Sequence, residues 1–222
     1  MTSTVNTKYA YAGDVKQMIL DTPRLFVTDD DNTAIWFEKE IVGNYSVQHT
    51  IADCLIFSEQ QGLIGVEIKS ARDSKKRLRR QLTDYVKVCD YVWVLIHDTM
   101  LPEVEGILED FPYVGVICYT EVNDKLAPGV VKQAQPSPQF NLKESLDMLW
   151  SNELYVLDKQ ASLHSGGKFR VPPKYKITTK KGRIGFLTSM GEQYAHDEFM
   201  KLIISGYKDK DRSFDTYDFR RQ

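Results

Sequence analysis

Two charged side chains interrupt the most strand-like segment of the chain, LIGVEIKSARD at residues 63–73. Only Ile68 separates Glu67 from Lys69, so the alternation of a β-strand places both charges on one face. Burying either charge costs free energy unless it is paired, hydrogen-bonded or bound to a metal ion. The segment therefore contains either a structural ion pair or part of a reactive site.

A second carboxylate, Asp53, lies near the start of the preceding apolar run, IADCLIFSE. The short connection between the two runs predicts a β-hairpin, which would bring Asp53 opposite or diagonal to Glu67. Two carboxylates at that separation repel each other unless one is protonated or a cation lies between them. Mg²⁺ is commonly held by one or two carboxylates together with phosphate and water. With Lys69 beside such an ion, the pattern indicates metal-assisted hydrolysis.

A simpler interpretation of the same residues stays open. Glu67 and Lys69 could neutralise each other on the solvent face of an edge strand, with Asp53 an ordinary turn residue. A Glu-x-Lys triplet alone is common. The position of Asp53, the intervening hairpin and the basic stretch that follows favour the reactive site.

The elements that would position these residues alternate between helix and strand. Hydrophobic periodicity predicts a helix, three strands, a helix, a strand, a helix and a strand in that order. The predicted elements span residues 14–26, 33–42, 51–59, 62–70, 74–90, 91–97, 102–111 and 113–121. This order predicts an α/β fold with a central mixed sheet flanked by helices.

The composition changes after about residue 126. Proline and glycine predict a loop in APGVVKQAQPSPQ, and helices are predicted over 141–160 and 186–207, on either side of a basic segment at 168–183. We therefore expect a core at 1–136 and a helical extension at 137–222.

Composition excludes several classes of protein. The formal net charge of −2 argues against a generally cationic nucleic-acid binder, so any such role must depend on local patches. Three widely spaced cysteines, Cys54, Cys89 and Cys118, form no CxxC pair, which argues against zinc and a disulfide framework and favours a reducing cytoplasm. No signal core, membrane-spanning run or glycine-rich phosphate loop is evident. We expect a soluble cytoplasmic protein without a nucleotide cofactor.

The motif resembles a known superfamily. Asp53, thirteen intervening residues and then Glu67-Ile68-Lys69 resemble the D…(D/E)-x-K signature of the PD-(D/E)XK, or restriction-endonuclease-like, nucleases. Gln81 and Tyr85, four residues apart and so on one helical face, resemble the Q-x-x-x-Y element of its RecB-like branch. The block VEIKSARDSKKRLRRQLTDY is similar to small stand-alone bacterial and phage members. The residue before Asp53 is alanine rather than the signature proline, an absence shared by many members.

The resemblance implies a fold and an activity. It implies an αβββαβ core and Mg²⁺-dependent hydrolysis of DNA, with Mn²⁺ able to substitute. It implies that Asp53, Glu67 and the carbonyl group of Ile68 bind the metal, and that Lys69 positions or activates the attacking water. A further acid often comes from the first helix or strand; we choose Glu40, with Glu38 and Asp14 as alternatives.

A basic stretch directly follows Lys69, where a phosphate backbone would have to approach. Such a run is usually a solvated helix face, but its position favours DNA contact. The residues expected to support the site or contact DNA are Ser70, Arg72, Lys75, Lys76, Arg79, Arg80, Gln81 and Tyr85. DNA is the expected partner, a membrane is not, and a homodimer is left open. The alternative function is a non-catalytic nucleic-acid-binding or protein-interaction module that retains the nuclease fold.

Overall fold

The computed structural model describes residues 12–27, 32–42, 50–123, 125–171, 177 and 179–208. Within them the chain forms an α/β fold, with the predicted order of elements as far as the strand at 115–122. The first part comprises α1 (Ala12–Asp21), β1 (Thr33–Val42), β2 (Thr50–Ser58), β3 (Gly62–Lys69), α2 (Leu78–Val88), β4 (Tyr91–His97), α3 (Leu101–Leu108), β5 (Gly115–Val122) and β6 (Lys125–Lys132). A helical region follows, with α4 (Leu142–Asp147), α5 (Ser151–His164), α6 (Lys180–Ser189) and α7 (Glu192–Lys208). The predicted fold class is confirmed.

The strands form one mixed sheet in the order β1-β2-β3-β4-β5-β6. The pairs β1–β2, β2–β3 and β5–β6 are antiparallel, whereas β3–β4 and β4–β5 are parallel. The parallel pairs need crossover connections, which α2 and α3 provide. As a result the carboxyl ends of β3, β4 and β5 lie on the same side of the sheet, and Lys69 and His97 are at the ends of β3 and β4.

Helices cover both faces of the sheet. On one face, Val15 and Ile19 of α1 belong to the same buried cluster as Ile64 and Val66 of β3. On the other face, a second cluster joins the sheet to α2 and to the C-terminal helices. Phe57 of β2 packs edge-to-face on Phe199 of α7, with ring centroids 5.9 Å apart. The helical region predicted as an extension after residue 136 therefore shares a core with the sheet.

Strand β6 corrects one prediction from sequence. The segment that begins at Ala127 was predicted to be a loop, because it contains Pro128 and Gly129. Residues 127–132 instead belong to β6 and pair with β5 at the edge of the sheet, whereas 133–139 form neither helix nor strand, as predicted. Proline is tolerated in an edge strand, where the missing N–H would face solvent. Pro128 therefore lies in an edge strand and does not end the sheet.

The C-terminal helices are also shorter than predicted. The single helix expected over 141–160 is interrupted at Trp150, whose extended backbone begins α5 and whose N–H donates to a carboxylate oxygen of Glu153 at 2.5 Å. The helix expected over 186–207 is divided between α6 and α7 at Gly191, which has a φ of 110°. In both places a local terminating or capping signal overrides a continuous apolar periodicity.

Candidate active site

The candidate site lies where β2 and β3 separate. Their ladder ends at the pair Cys54↔Val66, although β3 continues to Lys69. Beyond that pair, the Asp53 carboxylate crosses to β3 and its Oδ2 accepts the N–H of Ile68 at 2.8 Å. Asp53 therefore lies beside Glu67 and Ile68, as the hairpin predicted.

Glu67 and Lys69 point to the face of β3 that α2 covers. Their side chains are buried, with 0% and 4% of the residue surface exposed. The ammonium group of Lys69 donates to Oε1 of Glu67 and to the side-chain carbonyl of Gln81 at 3.1 Å. Oε2 of Glu67 is buried and has no hydrogen-bond partner within the part of the chain that the structure describes. The solvent-face interpretation of this pair is thus wrong.

Tyr85, one helical turn after Gln81, reaches the same break in the sheet. Its hydroxyl group accepts the N–H of Asp53 at 2.9 Å. Gln81 and Tyr85 are both buried on the inner face of α2. The structure therefore brings Asp53, Glu67, Lys69, Gln81 and Tyr85 together.

Both carboxyl groups have raised pKa values, and the charge of Asp53 contributes to the shift of Glu67. Burial, followed by the negative charge of Asp53, raises the pKa of Glu67 to about 7, against the opposing effects of Lys69 and the Tyr85 hydroxyl. Burial also raises the pKa of Asp53, although the Ile68 N–H and Lys69 act in the opposite direction. A bound cation would favour the ionised form of both groups.

The donor set fits a hydrated Mg²⁺ ion. Among the described residues, no group of three or more His, Cys, Asp or Glu side chains is placed to enclose a metal. Mg²⁺ does not need such a cage, because it keeps several waters and binds one or two carboxylates plus substrate phosphate. Oε2 of Glu67, which is buried without a hydrogen-bond partner among the described residues, is the atom that such an ion would satisfy.

The structure places Glu38, rather than Glu40, opposite Asp53. The register of β1 and β2 pairs Phe37 with Cys54 and Lys39 with Ala52, so Glu38 faces Asp53 between these pairs. Its backbone is left-handed, with a φ of 57°. Glu40, chosen from the sequence as a metal ligand, is exposed and pairs with Ile51 instead. Asp14 is exposed in the first turn of α1.

Two charged residues near Asp53 were not selected from the sequence. Lys16, buried on α1, contacts the Glu38 carboxylate, and its charge lowers the pKa of Asp53. No local pattern separates Lys16 from other helix lysines. Asp73 accepts hydrogen bonds from the N–H and the hydroxyl of Ser70, each 2.7 Å long, and its charge raises the pKa of Asp53. The Ser-x-x-Asp spacing of this turn is a signal that could have identified Asp73.

The basic stretch after Lys69 is exposed but partly neutralised. Lys75 lies 4.0 Å from a carboxylate oxygen of Glu103, which is in α3. Arg79 contacts Asp110, which follows α3. Lys76 and Arg77 are exposed, and neither has an acidic partner at ion-pair distance in the described ranges. Arg72 is exposed and Arg80 half-buried. In this stretch Lys75 and Arg79 therefore have acidic neighbours, whereas Lys76 and Arg77 have none at ion-pair distance within the described residues.

Comparison with known proteins gives a family for the chain. The model of the family described as bacteriophage P4 protein cII matches residues 7–218. The chain belongs to this family. Curated proteins gave no match. A solved protein of unknown function from Silicibacter pomeroyi is similar at 10% identity and a TM-score of 0.37, over 64% of this chain and 86% of its own.

The helical part of this P4 cII family chain contains a second basic segment, 168–183. Residues 172–176 and 178 lie outside the described residues. Arg183 is 3% exposed and donates to Asp158 Oδ2 at 2.6 Å and to the carbonyl of Ile177 at 2.9 Å. Its guanidinium group is thus used inside the helical region and is not presented to a nucleic acid. Within the described residues, no helix has the length and apolar content to cross a membrane.

A cavity of about 670 Å³ lies at the other end of β3 from Lys69. It is bounded by the β2–β3 turn and by the first turns of α4 and α7. In its wall, His196 Nε2 lies 2.9 Å from Asp90 Oδ2, which also accepts the N–H of Leu63 at 2.8 Å. The contact joins α7 to the amino ends of β3 and β4, away from Asp53 and Glu67.

Proposed function

We propose that this chain is a metal-dependent nuclease of the PD-(D/E)XK type that hydrolyses DNA phosphodiester bonds. The observation that carries the proposal is the convergence of Asp53, Glu67 and Lys69 at the break between β2 and β3, where Oε2 of Glu67 is buried with no partner at hydrogen-bonding distance among the described residues. Structural ion pairs rarely leave such an atom buried without a partner. Binding of a metal ion together with a phosphate group would give Oε2 of Glu67 a partner.

Each residue has a defined part in this proposal. Asp53, Glu67 and the carbonyl of Ile68 would hold Mg²⁺ or Mn²⁺, which supplies charge neutralisation for the phosphate and acidifies water. Lys69 is fixed by Glu67 and Gln81, so its ammonium group is oriented before substrate arrives. Its part is to offset phosphate charge and orient the attacking water, and such electrostatic preorganisation is often the largest contribution to catalysis.

The exposed basic residues would contact the phosphate backbone. Lys76 and Arg77 are free of acidic neighbours at ion-pair distance in the described ranges, whereas Lys75 and Arg79 would exchange Glu103 and Asp110 for phosphate. Because each of these two cations has a local counter-charge, its contact with phosphate should contribute less than that of Lys76 or Arg77. All three cysteines are free thiols, which is consistent with action on DNA in the cytoplasm.

One observation favours the alternative of a non-catalytic module. Lys69 and Glu67 already neutralise each other inside the protein, so half of the proposed site is satisfied without a metal ion. A chain that had lost nuclease activity could keep this pair for structure alone. The alternative predicts nucleic-acid or protein binding without hydrolysis.

A substrate panel with near-isosteric variants tests both functions. Purified protein is incubated with labelled single- and double-stranded DNA and RNA, with and without Mg²⁺ or Mn²⁺, and metal binding is measured by calorimetry. Asp53→Asn and Glu67→Gln should abolish cleavage and weaken metal binding, and Glu103→Gln, an exposed acid on α3, should do neither. Binding of DNA without cleavage by the wild type would support the non-catalytic module. Cleavage that survives both site variants would rule out this site.

A further inference from the structure

Where β2 and β3 separate, side-chain oxygens satisfy two backbone amides. The N–H of Asp53 donates to the Tyr85 hydroxyl, and the N–H of Ile68 donates to the Asp53 carboxylate. Continuing the register beyond Cys54↔Val66 would pair Ile68 with Ala52, but the pairing of β2 with β3 ends at Cys54↔Val66. The Asp53 carboxylate thus replaces a backbone carbonyl of β2 as the acceptor for Ile68.

Tyr85 is held at this break by close packing. Its side chain is fully buried, and a Cβ atom built on Gly65 would lie 2.5 Å from Cδ1 of its ring. The absence of a side chain at residue 65 therefore lets the ring rest on the backbone of β3. The hydroxyl also lies 3.4 Å from the carbonyl oxygen of Val66, in the last paired position of β3. The Tyr85 hydroxyl thus bridges β2 and β3 directly after their last backbone pair, Cys54↔Val66.

We infer that Tyr85 is a positioning residue whose hydroxyl takes the place of the next rung of the β2–β3 ladder and so fixes the Asp53 carboxylate against Ile68, beside Glu67. This inference deepens the proposed nuclease function and rests on it only for its consequence in metal binding. Tyr85 acts through the backbone of Asp53 and through the contact of its hydroxyl with the Glu67 carboxylate, and it contacts neither metal nor substrate. Fixing the carboxylate in advance lowers the cost of assembling the site.

Tyr85→Phe isolates the hydroxyl group. The variant keeps the ring over Gly65 and removes the hydroxyl, with its contacts to the Asp53 N–H, the Val66 carbonyl and the Glu67 carboxylate. The matched control is Tyr119→Phe, since Tyr119 is 1% exposed and its hydroxyl is buried without a hydrogen-bond partner in the described part of the chain. The measurement is amide hydrogen exchange by NMR on the metal-free protein, followed by calorimetry with Mn²⁺.

In Tyr85→Phe we expect exchange at Asp53 and Ile68 to accelerate at least about tenfold, while Leu55 and Ile56, in the paired ladder, stay protected. Mn²⁺ affinity should fall by about tenfold to a hundredfold, the usual effect of losing a group that orients a ligand. Tyr119→Phe should change neither quantity.

Unchanged exchange at Asp53 and Ile68 in Tyr85→Phe would overturn the inference, as would equal acceleration along all of β2 and β3, which indicates general destabilisation. If Tyr85→Phe does not fold, the wild type still provides a test, because an unprotected Asp53 amide would also overturn the inference. A wild type that neither binds Mn²⁺ nor cleaves DNA, with selective acceleration at Asp53 in the variant, would remove the proposed function and leave the positioning role intact.

Discussion

The ammonium group of Lys69 lies directly against the carboxylate of Glu67, and both side chains are buried under α2. Removing two charges from water costs several kcal/mol each, which their attraction repays only with good geometry and additional hydrogen bonds. Gln81 supplies one such bond to Lys69, whereas Oε2 of Glu67 receives none within the described residues. The pair is therefore sensitive to the loss of either member.

Lys69→Met should destabilise the metal-free protein by about 3–5 kcal/mol at pH 8, the usual cost of leaving one buried charge uncompensated. Lys69 lowers the pKa of Glu67, so its removal raises that pKa above the present value of about 7. A carboxyl group with a raised pKa in the folded state gains stability as pH falls through it. The loss should thus be smaller at pH 5.5 than at pH 8 in urea unfolding.

Two controls define that result. Adding Glu67→Gln to Lys69→Met should recover part of the loss at pH 8. Lys16→Met should cost less than Lys69→Met, because the Glu38 side chain that it contacts is 70% exposed and remains solvated. Equal costs for the two lysine variants would show that burial of the partner does not decide the effect.

His196 should make stability fall as pH rises past neutrality. Burial alone would lower the pKa of His196, but the hydrogen bond and charge of Asp90, together with Asp197, raise it above the usual value. Its stabilisation is full below the unfolded pKa of about 6.5 and is lost as pH rises through the folded pKa. His196→Gln should therefore reduce the difference in unfolding free energy between pH 6 and pH 9. An unchanged difference would assign the pH dependence to other groups.

Two pairs of cations should differ in their effect on DNA binding. Lys76→Gln with Arg77→Gln should lower the salt slope by about two units, since each phosphate contact contributes about 0.9. Lys75→Gln with Arg79→Gln removes the same charge, but Glu103 and Asp110 already neutralise these residues, so a smaller change is expected. Fluorescence anisotropy over a range of salt concentrations measures both slopes. Identical slopes for the wild type and both variants would place the DNA on another surface.

Gly65→Ala should disturb the candidate site without introducing a charge. The added methyl group would lie 2.5 Å from the Tyr85 ring and 2.8 Å from Sγ of Cys89, so α2 must shift away from β3. We expect a loss of about 1–3 kcal/mol, as for other overpacked cores, and weaker Mn²⁺ binding. Gly129→Ala is the control, because its methyl group would meet no atom of the described residues within 4 Å. Thermal unfolding and calorimetry on both variants check this prediction.

Local periodicity was sufficient to predict the order of elements from α1 to β5 and the convergence of Asp53, Glu67 and Lys69. Alternation with a period of two placed Glu67 and Lys69 on one face, and the short hairpin connection set Asp53 beside them. The spacing of Gln81 and Tyr85 placed both on one face of a helix. These relationships involve neighbours along the chain or across one turn, so sequence alone can specify them.

Other features depend on contacts that no local pattern encodes. The left-handed backbone at Glu38 lies between two regular pairs, which is why strand alternation could not separate Glu38 from Glu40. Lys16 approaches Asp53 through the packing of α1 on the sheet, a tertiary relationship. Pro128 was interpreted as a break because a single sequence does not reveal which strand lies at an edge. Nuclease activity and metal binding remain predictions.

The contact between Phe57 and Phe199 joins the sheet and α7 in one buried cluster. The Phe57 ring is completely buried. A chain truncated near residue 136 would lose α7 and would expose this ring and other apolar side chains on the same face of the sheet. We expect such a fragment to aggregate rather than to behave as a minimal enzyme. Deletion mapping would then report misfolding, so functions in this chain are best separated by point substitutions.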